Sequence, residues 1–112
     1  MHYTISGSVI HGDGYGKKLG FPTVNLETNN SELPEAGVYA GNAILEEKKY
    51  LAGIVIDPQG KVEAHLIGYV GDAYGKVVII EIMKFIREFK KFKTEEDLIE
   101  QIKKDIEICS QA

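Results

Sequence analysis

Cysteine, long apolar runs and an excess of positive charge are scarce in this sequence. Cys109 is its only cysteine, so the chain forms no internal disulfide and no metal site built from several thiolates. We expect this thiol to pack under a helix or lie at the surface. No apolar run approaches the roughly 20 residues of a membrane span, and the opening MHYTISGSV lacks the features of a signal peptide. We therefore expect a reduced, cytoplasmic protein without a membrane partner.

The charge balance narrows the class of ligand. The formal net charge is −4, whereas nucleic-acid-binding domains usually carry a basic stripe, so we expect no nucleic-acid partner. A small anionic ligand is still compatible, because a few N–H groups and cations suffice to hold a phosphate. The 112 residues are 44% hydrophobic and 27% charged, which fits one globular domain, 1–112, that we expect to be a monomer.

Several short stretches have the composition of β-strands and are separated by Gly, Pro, Asn and Asp. They cover residues 3–10, 37–45, 50–57, 61–69 and 76–87. The second and third have the pattern of a hairpin joined by the polar sequence EEKK. In the fourth, Val62, Ala64 and Leu66 alternate with residues of the opposite face. The last is the longest apolar run, and its β-branched residues favour a strand buried on both faces for part of its length.

Residues 94–109, TEEDLIEQIKKDIEIC, have the pattern of an amphipathic helix. Thr94 is a suitable N-cap, Asp97 follows it as in a capping box, and acidic residues fill the first turn, where the helix dipole favours them. The apolar stripe consists of Leu98, Ile102 and Ile106, with Ile99 and Cys109 at its margin. Antiparallel strands followed by one helix predict a mainly β fold, a small barrel with the helix packed against it.

The stretch HGDGYGKKLGFPTVNL, residues 11–26, combines closely spaced glycines with two lysines. Gly12, Gly14 and Gly16 permit positive φ and close backbone approach. Exposed N–H groups in such a loop can form an anion-binding nest, and Lys17 and Lys18 add positive charge. The spacing matches neither a P-loop nor a dinucleotide-binding fingerprint, so the glycines alone leave open a phosphate site or a generic turn.

Pro22-Thr23-Val24-Asn25 follows directly. Pro22 fixes its own φ and biases Phe21 toward extended geometry. If the chain stays extended, Thr23 and Asn25 face the same way. A hydroxyl and an amide oxygen on one face can hold a hard cation such as Mg²⁺, although the residue types by themselves favour a local turn.

The pattern GDxYGK occurs twice, at 12–17 and at 71–76. Six residues do not make a repeat architecture. We interpret the two segments as tight turns of similar chemistry.

Residues 11–26 resemble the nucleotide-binding signature of the ATP-dependent riboflavin kinases, which stand alone or form the C-terminal module of bifunctional FAD synthetases. The resemblance continues in the family's order through GVYAG, VEAHL, DAYGK, IREFKKF and EEDLIEQIKKDIE, and so covers nearly the whole chain. It implies a six-stranded antiparallel Greek-key β-barrel with one C-terminal α-helix. The implied reaction is transfer of the ATP γ-phosphate to the 5′-hydroxyl of riboflavin, which gives FMN and ADP.

The resemblance also implies roles for individual residues. The glycines and lysines of 12–18 would wrap the ATP phosphates, and Thr23 and Asn25 would hold Mg²⁺ with those phosphates. Glu63, in VEAHL, would be the catalytic carboxylate. Phosphoryl transfer depends mainly on positioning and charge neutralisation, and a general base adds roughly 10²–10⁴-fold in rate. Alternation alone would favour a solvated strand carboxylate for Glu63.

Three further residues are less constrained by the sequence. The resemblance places Arg87 near flavin and phosphates as a substrate-binding residue, and a salt bridge with Glu88 or its neighbours is an equal alternative. We interpret His65 as a hydrogen-bonded structural histidine, because the sequence offers it no nucleophile. Tyr39 is expected in the core.

One segment departs from the family pattern. The family usually carries a longer loop with an Asn-x-Gly…Pro-Thr signature before the VEAH strand, whereas this chain has only IDPQGK. If that loop closes over the substrates, its loss would weaken binding, leave the site wetter or abolish activity. The alternative hypothesis is therefore a non-catalytic flavin- or nucleotide-binding module of the same fold. A third, a barrel that binds protein or nucleic acid, is disfavoured by the negative charge.

Overall fold

A computed structural model describes residues 3–12, 15–28 and 33–111. Its six strands are β1 Tyr3–Ile10, β2 Val24–Glu27, β3 Gly37–Leu45, β4 Lys48–Ile56, β5 Val62–Leu66 and β6 Val77–Arg87. A one-turn helix, α1 Tyr15–Lys18, lies between β1 and β2, and α2 Glu95–Gln111 follows β6.

The strands close into a barrel in the order β1-β2-β5-β4-β3-β6, and every neighbouring pair is antiparallel. β3, β4 and β5 are consecutive hairpin strands, and β5 pairs with β2, the strand that precedes β3 in the chain. This is the Greek-key arrangement. Closure leaves no free sheet edge. The predicted mainly β class, with a six-stranded antiparallel barrel and a C-terminal helix, is confirmed.

The barrel interior is filled by the inward-facing apolar residues of all six strands. β5 shows the principle, since Val62, Ala64 and Leu66 are buried while the residues between them are partly exposed. Tyr39 is 1% exposed, as expected for a core residue, and its hydroxyl donates a hydrogen bond to the Glu35 carbonyl at 2.5 Å.

The prediction that β6 is buried on both faces for part of its length is wrong. Val78, Ile80 and Ile82 face the interior, but Val77 is 62% and Ile79 37% exposed. A closed barrel has one interior, and its outer face is buried only where another element covers it. α2 packs mainly on β4 and β3, so the outer face of the first half of β6 stays at the surface.

The β3–β4 hairpin is confirmed, but the four-residue connection EEKK is not. β3 ends at Leu45 and β4 begins at Lys48, so the turn consists of Glu46 and Glu47 alone. Both have positive φ, 51° and 68°, as a type I′ turn requires in order to match the twist of its strands.

α2 begins and packs much as its sequence indicates. The Thr94 hydroxyl accepts a hydrogen bond from the Asp97 N–H at 3.1 Å, which confirms the N-cap. Cys109 is fully buried rather than marginal, and its thiol lies above Gly53, where a Cβ would come within 3.3 Å of the sulfur. The other buried helix residue is Asp105. No helix within the described residues is long and apolar enough to cross a membrane.

Candidate functional site

The β2–β5 ladder brings the predicted metal and catalytic residues side by side. Asn25 pairs with Glu63 in register, while Val24 pairs with Ala64 of the core. Because side chains alternate along a strand, Asn25 and Glu63 both lie on the outer face. The hydroxyl of Thr23, directly before β2, donates a hydrogen bond to Oε1 of Glu63. Residues far apart in the sequence thus form one polar cluster.

Gly12 packs directly on this cluster. A Cβ at Gly12 would lie 2.2 Å from Nδ2 of Asn25, so a larger residue would displace the Asn25 amide or the chain that follows β1. Close approach, not positive φ, is therefore the requirement at this position. Gly16 lies in α1, and among the described residues of this stretch the glycine with left-handed geometry is Gly20, with φ of 93°. Gly14 lies outside the described residues.

A cavity of about 670 Å³ opens beside Gly12. We call it the glycine-side cavity. Lys17, Thr23 and Asn25 line it, together with residues 69–74 of the β5–β6 connection. Lys18 is exposed and is not part of its lining.

Described residues of both GDxYGK segments line this cavity, Gly12 and Lys17 from the first and residues 71–74 from the second. The rings of His11 and Tyr74, which follow β1 and precede β6, stack with centroids 3.7 Å apart at an angle of 15°. Asp72 Oδ1 accepts a hydrogen bond from the Tyr74 N–H at 2.9 Å, and Gly75 has a φ of 80°. The interpretation of 71–76 as a tight turn is confirmed. Sequence reasoning did not place His11 or Tyr74 at the site. The available signal was the repeated motif, which contains Tyr74 and directly follows His11.

A second cavity, of about 560 Å³, lies between the outer face of β4 and β5 and the start of α2. We call it the helix-side cavity. Glu63 and His65 line it from β5, residues 89–93 form another wall, and Leu98 and Ile102 face it from α2. Thr23 lines both cavities, so the Thr23–Glu63 hydrogen bond lies where the two meet.

His65 is hydrogen-bonded, as the structural interpretation expects. Its Nδ1 lies 2.7 Å from the Pro22 carbonyl oxygen. The Phe21 ring lies edge-on to the imidazole, with centroids 6.4 Å apart.

Arg87 lines the helix-side cavity and is already paired. Its Nη2 lies 2.8 Å from Oδ2 of Asp105, and its Nε lies 3.1 Å from Oδ1. Asp105 also accepts a hydrogen bond from Gln101 Nε2 at 3.0 Å. Glu88, the partner considered from the sequence, accepts a bond only through its carbonyl. Sequence reasoning missed Asp105, because a lone acid in a charged helix is usually solvated.

The shortened connection at 57–61 closes on itself. Asp57 Oδ1 accepts hydrogen bonds from the N–H groups of Gln59 at 2.9 Å and Lys61 at 2.8 Å, and Gly60 has a φ of 85°. This compact turn contributes no lining residue to either cavity.

Comparison with known proteins identifies the family. The riboflavin kinase (flavokinase) family model matches residues 1–112. The chain is 39% identical over 114 residues to the bifunctional riboflavin kinase/FMN adenylyltransferase of Bacillus subtilis, covering 92% of this chain and 36% of that protein. The chain therefore belongs to the riboflavin kinase family, and it spans little more than a third of the length of the curated relatives it matches.

Solved structures share the fold. A Streptococcus pneumoniae protein described as a macrolide-efflux protein has a TM-score of 0.89 at 27% identity, over 97% of this chain and 38% of that one. Riboflavin kinase from Trypanosoma brucei has a TM-score of 0.78 at 23% identity, over 98% and 76%.

Proposed function

We propose that this chain is a riboflavin kinase domain that transfers the γ-phosphoryl group of ATP to the 5′-hydroxyl of riboflavin, giving FMN and ADP. The observation that carries the proposal is the Thr23–Glu63 hydrogen bond at the junction of the two cavities, in a chain of this family. A phosphoryl donor and its acceptor must meet at one point, and this polar pair lies at such a point.

The two cavities suit different ligands. The helix-side cavity has aromatic and aliphatic walls, including Phe89, Phe92 and Val55, and its volume lies within the roughly 300–1,000 Å³ of small-molecule sites. We assign riboflavin to it. The glycine-side cavity has Gly12 and Lys17 at its wall, and we assign the nucleotide to it, with Gly14, Gly16 and Lys18 as further contacts of the phosphates.

Family members use ATP, generally with a divalent metal, and we propose Mg²⁺ held by Thr23 and Asn25. Among the described residues, no group of three or more His, Cys, Asp or Glu side chains could hold a metal ion. A hydroxyl and an amide oxygen nevertheless suit Mg²⁺, which takes oxygen ligands and completes its shell with water and phosphate. Because Thr23 donates its hydrogen to Glu63, the lone pairs of its oxygen are available to a cation. The bound ion would neutralise phosphate charge.

Glu63 is proposed as the general base. One carboxylate oxygen accepts the Thr23 hydrogen bond, and the other can accept the proton of the riboflavin 5′-hydroxyl. As the 5′-oxygen of riboflavin bonds to the γ-phosphorus, the bond from the γ-phosphorus to the β-phosphate oxygen breaks and ADP leaves. Arg87 would contact the substrate through N–H groups that Asp105 does not engage, since a guanidinium has five donors.

The remaining proposals concern the state of the protein. We propose that residues 1–112 fold as one domain and act as a cytoplasmic monomer with no nucleic-acid partner. The adenylyltransferase activity in the relative's name is attributed to that protein and is not proposed here.

The experiment is incubation of the purified chain with riboflavin, ATP and Mg²⁺, followed by chromatography and mass spectrometry of the flavin. We expect FMN and ADP in equal amounts, and no FMN when EDTA is in excess over the metal. Tight binding of FMN without turnover would instead support the non-catalytic module, which the family match does not favour.

A further inference from the structure

The peptide segment 21–23 separates the two cavities and joins α1 to β2. α1 closes with a hydrogen bond from the Gly20 N–H to the Lys17 carbonyl at 3.0 Å, and the β2 ladder begins only at Val24. Pro22 has no N–H to donate. Two side chains of β5 bond this segment, since Glu63 accepts from Thr23 and His65 contacts the Pro22 carbonyl at 2.7 Å.

The contact with Pro22 requires that Nδ1 of the His65 ring carry a hydrogen. A carbonyl oxygen can only accept, so Nδ1 must carry the hydrogen. The Phe21 ring lies edge-on to the imidazole, with 6.4 Å between the ring centroids. The segment and the ring therefore hold each other in one arrangement on the outer face of β5.

The Pro22 carbonyl and the Cα of Thr23 belong to one planar peptide unit. A bond that fixes the direction of this carbonyl therefore fixes the direction in which the chain enters Thr23. His65 and Glu63 lie two residues apart on the same strand, so both ends of the Pro22–Thr23 unit are set by one rigid element.

We propose that His65 is a positioning residue. By donating Nδ1–H to the Pro22 carbonyl, it holds the Thr23 hydroxyl beside Glu63 and at the wall of the glycine-side cavity. It does so without touching the reacting atoms. The proposal rests on the kinase function proposed above, and it extends the structural interpretation of this histidine to the geometry of the metal–nucleotide site.

The test compares His65→Asn with His65→Gln and His65→Ala. The amide NH₂ of asparagine can take the place of Nδ1–H, whereas the longer glutamine places its amide near the position of Nε2. We expect His65→Asn to keep KM for Mg·ATP and kcat within about 3-fold of the parent. His65→Gln and His65→Ala should raise KM and lower kcat about 10-fold together, as expected for loss of one hydrogen bond that aligns a site.

Hydrogen exchange of residues 19–26 in the ligand-free protein supplies a readout that does not need activity. Exchange should accelerate in His65→Gln and His65→Ala and stay at the parent rate in His65→Asn, with thermal melts to confirm that each variant folds. If the parent makes no FMN but this exchange pattern holds, the kinase proposal fails while the positioning contact stands.

Two results would overturn the positioning role. One is a His65→Asn variant that exchanges and turns over like His65→Ala. The other is a rise in KM for riboflavin alone in all three variants with unchanged exchange, because the ring would then act by contacting the acceptor.

Discussion

Thr23 and Glu63 lie 40 residues apart in the sequence and share a hydrogen bond in which the threonine hydroxyl donates to the carboxylate. The bond depends on the β2–β5 pairing, which places Asn25 opposite Glu63 and brings the end of the 11–26 stretch onto β5. A proposed metal ligand and a proposed base are therefore positioned by each other. Loss of the Thr23 hydroxyl should therefore affect both nucleotide binding and turnover.

Replacing Thr23 with valine keeps the shape of the side chain and removes the hydroxyl. We expect Mg·ADP to bind roughly 10-fold more weakly and kcat/KM to fall about 10–100-fold, since a proposed ligand and the hydrogen bond to Glu63 disappear together. Isothermal titration and FMN formation measure the two effects. Thr23→Ser retains the hydroxyl and should stay within a few fold of the parent. Equal losses in both variants would exclude the hydroxyl as the cause.

Gly12→Ala should weaken nucleotide binding through steric conflict. Its Cβ would lie 2.2 Å from Nδ2 of Asn25, so the amide or the end of β1 must move. We expect KM for Mg·ATP to rise at least about 5-fold. Gly68→Ala is the matched control, because it strains a residue with φ of 86° outside both cavities and should cost roughly 1 kcal/mol of stability without changing KM. An unchanged KM in Gly12→Ala would mean that Asn25 does not need its present position.

Asp105→Ala should destabilise the fold, because it leaves the Arg87 guanidinium largely desolvated and without its carboxylate. The side chains of this pair are only 22% and 11% exposed, and removal of one partner of a buried pair costs about 3 kcal/mol. Urea unfolding measures the loss. Glu100→Ala breaks the exposed pair with Lys104, whose side chains are 70% and 63% exposed, and should change stability by at most about 0.5 kcal/mol. Similar effects in both variants would refute the distinction.

Cys109 should behave as an unreactive thiol. Burial, and secondarily the charge of Asp105, raises its pKa from 9.0 to about 11. At pH 8.5 the folded protein should react with Ellman's reagent only as fast as it opens, and at once in denaturant. The neutral thiol contributes stability below pH 9, which is lost as the pH rises from 9 to 11. Cys109→Ala should therefore lose less stability over that window, and rapid labelling of the folded parent would contradict the burial.

Local sequence patterns predicted the strands and the helix more reliably than they predicted which outer faces are covered and how the strands are connected. The alternation of Val62, Ala64 and Leu66 and the N-cap of Thr94 depend on neighbouring residues, and both are confirmed. The exposure of Val77 depends on which strands α2 covers, and the sequence of β6 does not predict the position of α2. The connection at Glu46 and Glu47 was misjudged because two acids rarely adopt positive φ, and only the strand pairing makes them do so.

The same limit applies to the site. Alternation places Glu63 on the outer face, but only the pairing of β2 with β5 reveals that it meets Thr23, and the sequence indicated this role through family resemblance alone. Asp105 was missed because its partner, Arg87, lies at the end of β6, 18 residues earlier in the sequence, and the two meet only through tertiary packing. The hydrogen bond from His65 to Pro22 spans 43 residues and follows from the same strand pairing.

The most direct test of the central claim is FMN formation by Glu63→Gln, which keeps the size of the side chain and removes the base. We predict a fall in kcat of about 10²-fold or more while Mg·ADP and riboflavin still bind. Glu81→Gln, a strand carboxylate outside both cavities that pairs with Lys49 at 3.3 Å, should keep full activity. Parental turnover by Glu63→Gln would contradict the account, because the junction of the two cavities would then not contain the base.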